Sequence, residues 1–119
     1  MAKVVGVGGV FFKSQDPAKL RKWYEEHLGV SSSAQGGMFT DGGPVAFSIF
    51  PANTKYLGAA SAQFMINFRV DDLNALLEKL KAAGVEIDPK RDDAPYGKFA
   101  WITDPEGNRV ELWEPLPKK

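Results

Sequence analysis

The chain says the same thing twice, and that repeat limits its fold more than any other feature. Asp16 can accept hydrogen bonds from the free amides of a first helical turn, and Pro17 suits the first helical position. Leu20, Trp23, Tyr24, His27 and Leu28 follow at helical spacing, and Gly29 stops the helix. Asp71-Asp72 opens a second helix in the same way. Leu73, Leu76, Leu77, Leu80 and Ala83 form its apolar stripe, and Gly84 ends it. The caps are 72 − 16 = 56 residues apart and the stops 84 − 29 = 55.

The flanks repeat as well. A strand-like run, Val4–Lys13, precedes the first helix. Ala62–Val70 precedes the second, with Phe64, Ile66, Phe68 and Val70 alternating with Met65, Asn67 and Arg69. Three short strands are expected after each helix: Val30–Ala34, Gly37–Thr40 and Pro44–Phe50, then Val85–Pro89, Lys98–Thr103 and Arg109–Glu114. Asp104-Pro105-Glu106-Gly107 joins the last two as a hairpin, with Pro105 preset for the turn. The expectation is an α+β fold within one domain, 1–119: a βαβββ module over 1–50, a linker over 51–61 and a second βαβββ module over 62–119. One such unit leaves a sheet face uncovered, so two must associate.

Composition narrows the function. At 119 residues the chain suits one domain with a modest core, and 25% charged residues suit a soluble globular protein. Lys and Arg together equal Asp and Glu, so net charge offers no attraction to nucleic acid or an anionic membrane. There is no cysteine, which excludes disulfides, a thiol nucleophile and thiolate metal sites. The apolar start, MAKVVGVGGVFF, is too short to span a bilayer and has no signal-peptide cleavage pattern, so a cytoplasmic protein is expected.

Three segments, GGVFFKSQDPAKLRKWYEEHLGV, FMINFRVDDLNALLEKLKAAGVEI and GKFAWITDPEGNRVELWEP, carry a resemblance to the vicinal oxygen chelate superfamily. Glyoxalase I, bleomycin-resistance proteins and extradiol dioxygenases belong to it. The resemblance implies curved mixed sheets around a cavity, helices on the convex side, ligands on the concave side, and commonly a homodimer. It also implies strand phases. Phe64, Ile66, Phe68 and Val70 should face the helix, and Met65, Asn67 and Arg69 the cavity. Val110 and Leu112 should face the helix, and Arg109, Glu111 and Trp113 the cavity. Gly9, Phe11 and Lys13 are placed inward, as are Phe47 and Ile49 (Ser48 if the register slips by one), and Phe99 and Trp101.

Metal-using relatives hold a divalent cation with His, Glu or Gln from the first, fourth, fifth and eighth strands. Those positions fall here on Gly9, Phe47 (or Ser48), Met65 and Glu111. Gly and Phe offer no lone pair, a thioether suits hard cations poorly, and one carboxylate does not make a site. His27, near the end of the first helix, reads as a helix-surface residue. Glu25, Glu26, Glu78 and Glu86 read as solvated charges, and Asp16, Asp71 and Asp104 as caps or turns. No cofactor is therefore expected.

An ionised carboxylate in an apolar cavity needs partners. A Glu111–Arg69 contact, direct or through water, is expected, with Asn67 and Lys13 as the other candidates. The favoured reading is a metal-independent protein that binds a small apolar or aromatic molecule with Phe11, Phe47, Met65, Asn67, Arg69, Trp101, Glu111 and Trp113. One alternative is a glyoxalase-like lyase or other enzyme using Glu111 as metal ligand or general base. Another is a protein-interaction subunit whose cavity is filled by those aromatics. Trp23 and Tyr24 are expected to pack helix against sheet. Tyr56 and Tyr96 suit either a cavity mouth or a dimer contact.

Overall fold

A computed structural model describes residues 2–33, 36–39, 43–59 and 61–116. In chain order the elements are β1 (Val4–Ser14), α1 (Pro17–Leu28), β2 (Gly37–Phe39), β3 (Val45–Pro51), β4 (Phe64–Val70), α2 (Leu73–Ala82), β5 (Glu86–Ala94), β6 (Gly97–Thr103) and β7 (Arg109–Pro115). Two helices and a mixed seven-stranded sheet that does not close make an α+β fold. The expected strand Val30–Ala34 is reduced to a single bridge between Ser33 and Gly36. Ala34, Thr40 and the terminal Lys118–Lys119 lie outside the described residues. None of the helices among the described residues is long and apolar enough to cross a membrane. The chain forms two compact units, Gly9–Met65 and Met1–Gly8 with Ile66–Lys119.

In the unit Gly9–Met65 the strand order is β2-β3-β1. Asp16 caps α1 by accepting from the Lys19 amide at 3.2 Å, and Gly29, at φ 69, ends it. β1 runs parallel to β3, with Val10 opposite Phe47, Phe11 opposite Ser48 and Phe12 opposite Ile49. Phe12 and Phe47 both meet Tyr24 of α1, with ring centroids 6.1 and 5.4 Å away, so their face is the helix face. Phe11 is buried on the opposite face, against Phe50 and Tyr56. This corrects the expected phase of β3. Phe47 and Ile49 turn towards α1, and Ser48 shares the face of Phe11. Tyr24 packs on the sheet as expected, but Trp23 is 48% exposed and rests on Tyr24 and His27. Leu57, in the linker, is fully buried.

In the second unit the order is β4-β7-β6-β5, with β4 and β7 parallel and the others antiparallel. Val70, Leu73, Leu76, Ala100 and Leu112 form its buried core, joined by Phe68, Leu77, Leu80, Ile102 and Val110. These are the apolar stripe of α2 and the helix-facing residues of β4, β6 and β7, at about 1.5–3 kcal/mol for each large side chain buried. The start of α2 is held in three ways. Asp72 accepts from Ala75 N at 3.1 Å and Glu114 from Leu73 N at 2.8 Å. Asp71 accepts from Lys3 N at 2.9 Å and donates its own N–H to Lys3 O at 3.2 Å. β5 runs five residues beyond the expected Pro89, to Ala94, with a register shift between Ile87 and Arg91.

Candidate functional site

The face of β4, β7 and β6 turned away from α2 carries two rows of side chains. Strand register places Asn67, Glu111 and Trp101 side by side in one row, and Arg69, Trp113 and Phe99 in the next. The alternation expected for these strands therefore holds. The apolar partners Phe68, Val110, Leu112, Ala100 and Ile102 pack on α2, and this set is left on the other side.

Glu111 is the carboxylate of the first row and is 2% exposed. One oxygen, Oε2, accepts from Asn67 Nδ2 at 2.5 Å, and the other, Oε1, accepts from Trp101 Nε1 at 2.9 Å. Each carboxyl oxygen thus meets an N–H donor, the compensation that a buried acidic side chain requires. Asn67, one of the expected partners, donates to Glu111, and no direct hydrogen bond or ion pair between Glu111 and Arg69 is found among the described residues. Asn67 and Trp101 hold the carboxylate, and Arg69 donates from Nε to Val7 O at 3.3 Å. Lys90 Nζ and the Arg109 guanidinium lie 5.0 and 5.2 Å from the Trp101 ring centroid, so the indole is covered by cations. Arg109 also donates to Asp88 Oδ2 at 2.7 Å, and that hydrogen bond holds the Asp88 carboxyl below its ordinary range.

The second row is aromatic. Phe99 and Trp113 stack with centroids 5.8 Å apart and planes 5° from parallel. Tyr96, 65% exposed, meets the Phe99 edge at 5.7 Å, so a run of rings leads from solvent to buried Trp113. Two buried polar atoms here have no protein partner among the described residues: the Asn67 Oδ1 acceptor and the Trp113 Nε1 donor. A glycine lies against each. A Cβ on Gly8 would stand 2.3 Å from Asn67 Oδ1, 2.8 Å from Arg69 Cγ and 3.1 Å from Trp113 Cε3. At Gly97, φ +154, a Cβ would stand 2.4 Å from Trp113 Nε1. Gly8 is therefore a β1 residue that meets this face. The run VVGVGG shows no side-chain alternation by which sequence could choose between Gly8 and Gly9.

Met65, buried, belongs to the other unit together with Phe11 and Phe47. Of the eight candidate residues, Asn67, Arg69, Trp101, Glu111 and Trp113 share the face just described. Sequence reasoning left Phe99 and Lys90 out of the candidate set. Phe99 carries a signal, its even spacing from Trp101, whereas Lys90 lies in a charged run that reads as loop.

The donors do not fit a divalent cation. Within this unit Gly8 has no side chain, and the register partner of Glu111 on β4 is Asn67. Asn67 Nδ2 is turned to the carboxylate, and both Glu111 oxygens already accept from N–H groups. Among the described residues no group of three or more His, Cys, Asp or Glu could hold a metal ion.

Comparison with solved structures finds the same fold. A methylmalonyl-CoA epimerase from Mycobacterium tuberculosis is 20% identical with a TM-score of 0.68, over 96% of this chain and 90% of that one. A Streptomyces coelicolor methylmalonyl-CoA epimerase variant in complex with 2-nitronate-propionyl-CoA is 12% identical with a TM-score of 0.72, over 98% and 99%. The Mn(II)-bound glyoxalase from Novosphingobium aromaticivorans is 16% identical with a TM-score of 0.64, over 96% of this chain and 40% of that one. Likeness at these identities speaks for fold alone. No curated protein matches the chain. The sequence pattern of the Glyoxalase/Bleomycin resistance protein/Dioxygenase superfamily matches residues 10–112. The chain therefore belongs to the glyoxalase/bleomycin resistance protein/dioxygenase superfamily.

Proposed function

We propose that the chain binds a small molecule with a flat apolar or aromatic body, without a metal ion, on the face that carries Glu111. One observation carries the reading. Stacked aromatics, Phe99 and Trp113, lie beside two buried polar atoms that no group among the described residues satisfies, Asn67 Oδ1 and Trp113 Nε1. Small-molecule sites are built this way, from apolar walls with a few convergent polar groups. A buried acceptor or donor left without a partner costs about 1–3 kcal/mol, and a ligand that supplies one recovers that cost. Glu111 has its oxygens engaged by Asn67 and Trp101, which supports a positioning role for it over a role as general base or metal ligand. The epimerases and the glyoxalase lend their fold to this reading and not their substrates.

The test is a pair of measurements on purified protein. Elemental analysis should find no stoichiometric Zn, Ni, Mn or Fe. Titration with aromatic compounds should change tryptophan fluorescence saturably, and Phe99→Ala should weaken that binding about tenfold or more, as loss of a stacking wall implies. Stoichiometric metal that is lost in Glu111→Ala would overturn the reading in favour of the lyase. A homodimer and a cytoplasmic location complete the proposal, the first read by light scattering and the second by fractionation.

A further inference from the structure

We infer, building on that reading, that the ligand carries a carboxylate and that Arg69 receives it. The ligand class is an arene carboxylate: a flat ring system on the Phe99–Trp113 wall, with its charged end on the neighbouring guanidinium.

Three observations lead there. First, Arg69 differs from the other arginines of its unit. Arg91 is paired with Asp93 at 2.8 Å and Arg109 with Asp88 at 2.7 Å, whereas no ion pair among the described residues includes Arg69. Glu111, the carboxylate on the same face, is turned to Asn67 and Trp101. Arg69 is half-buried, and its one acceptor, Val7 O, takes the Nε hydrogen. Among the described residues the two Nη groups, the prongs that match a carboxylate, have no hydrogen-bond acceptor.

Second, the guanidinium is held ready. It is anchored at Nε by a strand carbonyl and lies over Gly6, where a Cβ would stand 2.5 Å from Nη2 and 3.3 Å from Cζ. A long side chain fixed in this way loses little further freedom when a ligand arrives. Third, the register partner of Arg69 is Trp113, which stacks on Phe99. Charge and ring wall are therefore adjacent, at the spacing of neighbouring strands. A carboxylate conjugated to a ring is coplanar with it and can meet both. The zero net charge of the chain does not bear on this, because recognition depends on the local arrangement.

The experiment is calorimetry on the full chain with 2-naphthoate, its neutral isostere 2-naphthamide, and naphthyl phosphate. Wild type should bind naphthoate at least about tenfold more tightly than the amide, the effect of one charged hydrogen-bonding contact. Arg69→Gln should bring acid and amide to about parity. Arg69→Lys keeps the charge without the fork and should fall between. Gly6→Ala, which displaces the guanidinium and leaves its charge, should also reduce the preference. Circular dichroism checks that each variant is folded. Equal binding of acid and amide by wild type, or an acid preference that survives in Arg69→Gln, overturns the inference while the small-molecule reading stands. Preference for the phosphate over the carboxylate overturns the ligand class. If none of the three compounds binds wild type, both readings fall.

Discussion

Replacing Gly8 by alanine is the most direct test of the packing around Glu111, because sequence and structure predict opposite signs. Glycine within a strand costs roughly 0.5–1 kcal/mol of backbone entropy relative to alanine, so in an open strand the change would stabilise. Here the new Cβ would stand 2.3 Å from Asn67 Oδ1, 2.8 Å from Arg69 Cγ and 3.1 Å from Trp113 Cε3. None of the three moves freely. Asn67 is 1% exposed and donates to Glu111, Arg69 is fixed at Val7, and the indole is rigid and stacked. Forcing a methyl into packed surroundings costs about 1–3 kcal/mol. Displacing Asn67 also removes a donor from a buried carboxylate, for about another 1–3 kcal/mol. After the entropy gain is deducted, the net loss is about 1–5 kcal/mol, or on the order of 10 °C in Tm at the middle of that range for a chain of this size. Urea unfolding followed by tryptophan fluorescence measures it. In an Asn67→Ser background, where the amide is gone, the same substitution should cost distinctly less, since contacting sites are not additive. A Gly8→Ala variant as stable as wild type, or more so, would refute the packing argument.

Two further outcomes follow from the same residues. Glu111→Gln keeps the shape, and rotation of the Asn67 amide restores a donor–acceptor match, so urea unfolding should show a loss of about 1 kcal/mol or less. Glu111→Leu strands the N–H groups of Asn67 and Trp101 and should cost about 2–5 kcal/mol in the same assay. Asp88 is held below its ordinary range by Arg109, and so contributes stability above the unfolded carboxylate range near about 3.9 that is lost as pH falls through its lower folded value. Asp88→Asn should therefore flatten the acid limb of a stability profile taken between about pH 2 and 6, and leave its slope near neutrality unchanged.

The helices were legible because their ends carry specific chemistry: Asp16 and Pro17 before Gly29, and Asp72 before Gly84. The two faces of β4 were legible because Phe64, Ile66, Phe68 and Val70 alternate there with Met65, Asn67 and Arg69, whereas the phases of β6 and β7 were supplied by the family resemblance. β3 was not legible. VAFSIF is apolar on both faces apart from Ser48, so nothing in it separates Phe47, which packs on Tyr24, from the opposite side. Gly8 and Gly9 left no side chain by which to read β1. The expected strand Val85–Pro89 stopped short because Lys90 to Asp93 are all charged, yet pairing with β6 carries the strand on to Ala94. The partners of Glu111 followed from register. Charge pairing suggested Arg69, but Asn67 lies directly opposite Glu111 on β4 and Trp101 directly opposite on β6.

The bulged strand β5 has a consequence for the life of this protein in a crowded solution. It lies last in its run of paired strands, where unpaired amides and carbonyls would invite a strand from another molecule. Its sequence, EIDPKRDDA, meets that hazard with a proline that has no amide to offer, five charged residues from Asp88 to Asp93 and a break in register that bends the ladder. An incoming strand would have to bury those charges and bridge that break, so cross-molecule sheet growth and fibril formation from this margin are opposed by the strand's own sequence.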